Sequence, residues 1–120
     1  MDELFNGGQS HTLAAFPLRA IYQFLPLDKD KTGGNVAQLL ISVPKRRFKH
    51  AVDRNRVKRQ LREAFRKNKQ LLNGLVEAGQ SVALAFVWLS ESHFPTPHVE
   101  KRVVGILRRI QEQANSLHTQ

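Results

Sequence analysis

Twelve of the chain's 19 lysines and arginines fall between Lys45 and Lys69, where the only acids are Asp53 and Glu63. The side chains able to act there are Lys45, Arg46, Arg54, Arg56, Lys58, Arg59, Arg62 and Arg66, with Asn55 set between two arginines. Arginine outnumbers lysine in the stretch, and a planar guanidinium fork suits phosphate oxygens and the faces of bases. A merely solvated helix face would balance its cations with acids at i, i+4. Here Lys58/Arg62 and Arg62/Arg66 repeat like charge at that spacing, at a cost of about a few tenths of a kcal/mol each. A bound polyanion removes that cost. Asn55 fits a contact with such a ligand and, equally, a helix N-cap or first-turn residue. Phe48 fits a staple packed under the helix as well as it fits a ligand-wrapping role beside Lys45 and Arg46.

Catalytic chemistry finds much less to work with. The histidines are His11, His50, His93, His98 and His118, and no two share the i, i+4 spacing of a helical metal pair. His93 and His98 flank Pro95 and Pro97 and are the nearest approach to a metal-binding loop. The ten carboxylates are scattered, without the clustering that a two-metal nuclease needs. Gly33-Gly34 reads as an ordinary turn, and no phosphate-cradling glycine loop or nucleophile motif occurs. The reading assigns no catalytic residue, no metal ligand and no cofactor to the chain itself.

Bulk properties agree with polyanion binding. The 120 residues form one domain, 1–120, and 41% hydrophobic residues suffice for a single core. A formal charge of +9 and a pI near 10.7 favour nucleic acid first and an anionic membrane surface second. Cysteine is absent, which excludes disulfides and fits a reducing compartment. No apolar run approaches the roughly 18 residues of a membrane span, and the first residues lack a signal-peptide pattern. The expectation is a cytoplasmic protein with no membrane role and no implied protein partner.

The elements that must position the cations follow from periodicity. Val57, Leu61, Ala64, Phe65 and Leu72 recur at helical spacing, which predicts an amphipathic helix from about Ala51–Arg54 to Leu72, stopped by Asn73-Gly74. At about 100° per residue, Asn55, Lys58, Arg59, Arg62, Arg66 and Lys69 take the opposite side. Asp53 falls in the first turn, where a carboxylate suits the helix dipole. Upstream, Leu4-Phe5 close a short helix ended by Gly7-Gly8. Thr12 to Leu27 reads as one strand with Leu18, Ala20, Tyr22 and Phe24 on one face. Asn35 to Val43 reads as a second, joined to the first as an antiparallel hairpin. Downstream, Ser81 to Ser90 is so apolar that a strand buried on both faces is expected. Thr96-Pro97 then cap a last helix with Val99, Val103, Ile106, Leu107, Ile110 and Ala114 on its inner face. The order α-β-β-α-β-α makes an α+β, two-layer α/β sandwich with the basic helix as a crossover between parallel strands.

The run from Ser42 to Arg66 resembles the signature of the bacterial ribonuclease P protein subunit. It includes Ala51-Val52, Arg54-Asn55-Arg56, Lys58-Arg59 and Arg62-Glu63. The resemblance covers about 25 consecutive residues, and the order of elements agrees along nearly the whole chain. It implies a left-handed strand-helix-strand crossover, where handedness rules alone predict a right-handed one; the same fold occurs in a domain of a small-subunit ribosomal protein. It also implies an accessory, non-catalytic protein subunit of an endoribonuclease, whose large catalytic RNA removes the 5′ leader of precursor tRNA by magnesium-dependent hydrolysis. Carried over by position, Arg54, Asn55, Arg56, Lys58, Arg59 and Arg62 meet the catalytic RNA, with Lys45, Arg46 and Arg66 alongside. Phe5 falls where the family has an aromatic lining the leader cleft, and Tyr22 is a second leader-binding candidate.

The chain departs from the family in three places. It starts where the family carries a basic segment and more of a helix. It reads Trp88-Leu89-Ser90 where many members place an arginine, and Phe48 stands where a small residue is usual. Three rivals use the same residues: a ribosomal or other structural RNA-binding protein, a nuclease acting alone, and a helix-turn-helix DNA binder. The last lacks a partner helix closely preceding the basic one.

Overall fold

The computed structural model describes residues 10–26 and 37–119, with side chains described as far as residue 115. The predicted helix at Leu4-Phe5 and the Asp28–Gly34 turn lie outside these residues. The described elements are strands β1 (His11–Ala15), β2 (Leu18–Pro26) and β3 (Ala37–Ser42), helix α1 (Ala51–Asn68), a 3₁₀ turn (Lys69–Leu72), and short helix α2 (Asn73–Glu77). Strand β4 (Gln80–Trp88) and helix α3 (Thr96–Thr119) complete them.

One four-stranded sheet has the order β1-β2-β4-β3. β1 and β2 pair antiparallel, as do β2 and β4, while β3 and β4 are parallel. The α+β sandwich is therefore as the sequence predicts, with β3-α1-β4 as its parallel crossover unit. The register aligns one face across all four strands. Leu39, Leu84, Tyr22 and His11 stand in one row, and Ile41, Phe86, Ala20 and Leu13 in the next. Both long helices pack on this face: Val57, Leu61 and Phe65 of α1 and Val103, Ile106, Leu107 and Ile110 of α3 join Leu18, Leu84, Phe86 and Trp88 in one core. All six inner-face residues predicted for the last helix are buried.

Two sequence expectations about the strands fail. Thr12 to Leu27 is two strands, because the chain reverses at Phe16-Pro17, whose peptide bond is cis. That turn carries neither glycine nor asparagine, so it lacks the usual hairpin signature. The second failure is the β2-β3 hairpin: β4 lies between those strands. Burial explains the insertion. β4 is buried on both faces along most of its length, with Val82 through Phe86 no more than 1% exposed, and only a central position does that. β3 alternates half-buried and exposed residues and tolerates the edge.

The end of the basic helix also differs. Asn73-Gly74 does not stop the chain's helical course; α2 begins there and ends at Ala78-Gly79, where Gly79 has φ +70° and its amide donates to the Val76 carbonyl at 3.0 Å. The left-handed conformation that favours glycine is thus five residues later than predicted. Gly74 instead faces Gln111 of α3, whose amide nitrogen would lie 2.4 Å from an added Cβ. Gly79→Ala is expected to lower stability by about 1 kcal/mol, read as a lower urea midpoint with unchanged slope.

Candidate nucleic-acid interface

The apolar stripe of α1 fixes which side of the helix faces outward. Val57, Leu61, Ala64 and Phe65 are buried, and Asn55, Arg59, Arg62 and Arg66 follow one another at offsets of 4, 7 and 11 on the exposed side. Arg56 is exposed beside this row, and Lys58 is half-buried at its margin. Lys45 and Arg46 are exposed in the turn that leads into the helix, where the Arg47 amide donates to the Pro44 carbonyl at 3.0 Å. The helix N-terminus, Val52, Asn55, Arg56 and Arg59 surround an open depression of about 400 Å³. Val52 is 77% exposed at its rim. An apolar side chain in this position suits contact with a ribose or base, and sequence periodicity alone had left it unassigned.

Among the described residues, two of the nine predicted RNA-contacting side chains, Arg54 and Arg66, are engaged within the chain. Arg54 donates from one guanidinium nitrogen to the Phe48 carbonyl at 2.8 Å and the Lys49 carbonyl at 3.1 Å. Its role here is to pin the loop that carries Lys45 and Arg46 against the helix start. Arg66 makes a bidentate pair with Glu63, Nε to Oε1 at 3.1 Å and an Nη to Oε2 at 3.0 Å. Arg66 holds the Glu63 carboxyl below its usual range, first by hydrogen bonding and then by charge. Both side chains of the pair are solvent-exposed, so an incoming phosphate competes for that guanidinium at little cost. Arg56, Arg59 and Arg62 have no carboxylate partner among the described residues.

Polar ties set the height and tilt of α1 against the loop before α3 and α3 itself. Asp53 Oδ1 lies 3.0 Å from His93 Nε2, and the His93 ring stacks on buried Phe48 with centroids 4.6 Å apart. Phe48 therefore packs beneath the helix start. Gln60 Nε2 donates to the Phe94 carbonyl at 3.1 Å and to Thr96 Oγ1 at 3.0 Å. The Thr96 hydroxyl serves this tie, while the Pro95 carbonyl accepts the first helical amides, His98 and Val99. Asn68 Nδ2 reaches Glu100 Oε2 at 3.1 Å. His93 and His98, the suggested metal loop, are thus occupied otherwise: His98 stacks on Phe94 at 5.1 Å.

Of the two leader-binding candidates, Phe5 lies outside the described residues. Tyr22 is 2% exposed on the helix-bearing face of the sheet. Its hydroxyl donates to Gln113 Oε1, and its ring stacks on His11 with centroids 5.2 Å apart. Burial raises its pKa above the ordinary value, opposed by the charge of Arg109. The ring is committed to the chain's own packing, and what it offers a ligand is one wall of a groove shared with Leu13, Arg109 and Gln113.

Comparison with known proteins bears on this face. The ribonuclease P family model matches residues 2–111. A ribonuclease P protein component of Porphyromonas gingivalis is 36% identical over 104 residues, covering 86% of this chain and 73% of that protein. One from Nitrosococcus oceani is 33% identical over 72 residues, covering 60% of this chain and 53% of that protein. One from Chlorobium phaeobacteroides is 41% identical over 63 residues, 52% and 42% of the two chains. No solved structure gives a significant match.

Because Gln60 ties two elements and touches no exposed cation, its loss separates scaffold from surface. Gln60→Ala is expected to cost about 1–3 kcal/mol of stability, measured by denaturant unfolding, while the folded variant keeps the wild-type salt dependence of RNA binding.

Proposed function

The chain belongs to the ribonuclease P protein component family, and we propose that it acts as the RNA-binding, non-catalytic subunit of the ribonucleoprotein that matures tRNA 5′ ends. The observation that carries the reading is the outward row on α1, with Asn55, Arg59 and Arg62 in line, Arg56 beside them, and Val52 exposed at the same depression. Three uncompensated guanidinium groups on a helix held by its opposite face form a rigid comb for a phosphate backbone. Lys45 and Arg46 extend it through the turn that Arg54 anchors, and Lys58 and Arg66 flank it. In this reading the catalytic RNA docks on α1, and precursor tRNA is the shared substrate.

The protein's contribution is electrostatic and positional. Its cations lower the repulsion between two RNAs, which raises the effective affinity for the magnesium on which the hydrolysis depends. No group of three or more His, Asp or Glu side chains converges to hold a cation among the described residues. The reading gives the magnesium, and with it the chemistry, to the RNA. In this reading Phe5 contacts the 5′ leader, and Tyr22 is the second leader-binding residue, through the groove it shares with Leu13, Arg109 and Gln113. No helix among the described residues is long and apolar enough to cross a membrane, and the reading places the protein in the cytoplasm.

Two measurements test this. Arg56→Ala/Arg59→Ala/Arg62→Ala is expected to weaken assembly with the catalytic RNA and to reduce the slope of log K against log salt by about 0.7–0.9 per lost phosphate contact. An unchanged slope refutes the assigned surface. In reconstitution at low magnesium, wild-type protein should restore cleavage of precursor tRNA by the catalytic RNA. Phe5→Ala should weaken binding of leader-bearing precursor by about fivefold or more, one stacked base's worth, and leave mature tRNA unaffected. Equal losses for both RNAs remove the leader role.

A further inference from the structure

Helix α1 carries three amide side chains, Asn55, Gln60 and Asn68. Two of them are engaged within the chain. Gln60 ties the helix to the Phe94 carbonyl and the Thr96 hydroxyl, and Asn68 donates to the Ala64 carbonyl at 2.8 Å as well as to Glu100. Asn55 is exposed and has no hydrogen-bond partner among the described residues.

The helix does not require an asparagine there. His50 is the N-cap residue, so Asn55 is the fifth residue of α1, in its second turn. Both local roles, cap and first-turn residue, are thereby removed. In a helix interior asparagine is a weaker former than arginine, because its short amide competes for backbone bonds.

With Val52, Arg56 and Arg59, Asn55 lines the open depression of about 400 Å³, a volume in the range of small-ligand sites. The four residues lie at offsets of 3, 4 and 7, on one side of the helix, over about 10 Å. Val52 is a branched apolar side chain that the core does not use. Arg56 and Arg59 are exposed without a carboxylate partner among the described residues. Cations alone would serve a phosphate backbone. An amide that both donates and accepts, beside an exposed isopropyl group, suits a base, which offers a polar edge and an apolar face.

We propose that Asn55 reads the edge of one unpaired adenine of the catalytic RNA, with the base against Val52 and its flanking phosphates on Arg56 and Arg59. The proposal rests on the docking of that RNA on α1. Hydrogen-bond chemistry selects the base. On its N7 edge adenine presents one acceptor, N7, beside one donor, the N6 amino group. The Asn55 amide matches both, Nδ2 donating to N7 and Oδ1 accepting from N6. Guanine presents two acceptors on that edge, N7 and O6, which suit an arginine, and the pyrimidines have no N7. A paired adenine hides this edge in the deep, narrow major groove of an RNA helix, where side chains cannot read it. The base therefore belongs to a loop, a bulge or a helix end.

Analogue interference with the full chain tests this. The catalytic RNA is transcribed with sparse phosphorothioate-tagged 7-deazaadenosine, which lacks N7, and bound and free molecules are separated. Iodine cleavage then maps the analogue, with tagged adenosine as the control. With wild-type protein the bound fraction should be depleted of the analogue by about threefold or more at an adenine where tagged adenosine is tolerated. With Asn55→Ala the depletion at that adenine should vanish. Asn55→Ala should bind unmodified catalytic RNA about fivefold or more weakly. Its slope of log K against log salt should not change, because a neutral amide releases no counterion. Its thermal midpoint should not fall, since alanine favours helix over asparagine.

Depletion sites that are the same for both proteins overturn the proposal. So does an Asn55→Ala protein that binds within about twofold of wild type, or one whose salt slope falls, since the loss then runs through the arginines. Precursor tRNA is carried through the same experiment, and an Asn55-dependent adenine found there and not in the catalytic RNA also overturns it. Failure of the α1 row is read separately, in the salt slope of the triple arginine variant, which does not depend on any one N7.

Discussion

Everything useful about the basic helix depends on the burial of its apolar stripe. Val57 and Leu61 are wholly inaccessible, and Ala64 and Phe65 nearly so. At about 1.5–3 kcal/mol for each large side chain removed from water, this stripe outweighs the few tenths of a kcal/mol set against the helix by each like-charged neighbour pair. The helix is therefore held in register by its inner face, whatever its outer face carries. Arginines can accumulate outside without melting it, and they stay where the packing puts them. A ligand that meets them loses little freedom-restricting work to organise the surface, which is the physical content of a preformed interface.

The joints around α1 are consistent with this division. Where α1 meets α3 and the loop before it, the ties are made by Asp53 with His93, Gln60 with Phe94 and Thr96, and Asn68 with Glu100. Apart from the Asp53-His93 contact, none of them pairs full opposite charges. Burying an ion pair between the helices would have carried a desolvation cost comparable to its attraction, and it would have drawn an arginine inward. Amide side chains make directional bonds without that cost. Among the arginines of α1, Arg54 is the one turned to the chain's own carbonyls; the ties to α3 and its preceding loop use amide, imidazole and carboxylate groups and leave Arg56, Arg59 and Arg62 facing outward.

How much of this was legible in the sequence depends on the range of the interactions involved. The α1 and α3 stripes were legible because helical period is a local signal, and β4 was legible because a run such as Val82–Phe86 has no polar side to show. The neighbours of β4 were not. Pairing order is settled by which strand most needs two covered faces, a comparison among β2, β3 and β4 rather than a property of any one. The β1-β2 reversal escaped for a different reason: Phe16-Pro17 turns the chain without a glycine, and a proline there reads as a strand start. Among the site residues, outward placement was legible and engagement was not. A helical projection sets Arg54 about 140° from Arg59, on the side of Leu61, but it does not name the acceptors that Arg54 meets there. Only the fold of the preceding loop brings the Phe48 and Lys49 carbonyls to Arg54, and only rotamer choice brings Glu63 to Arg66.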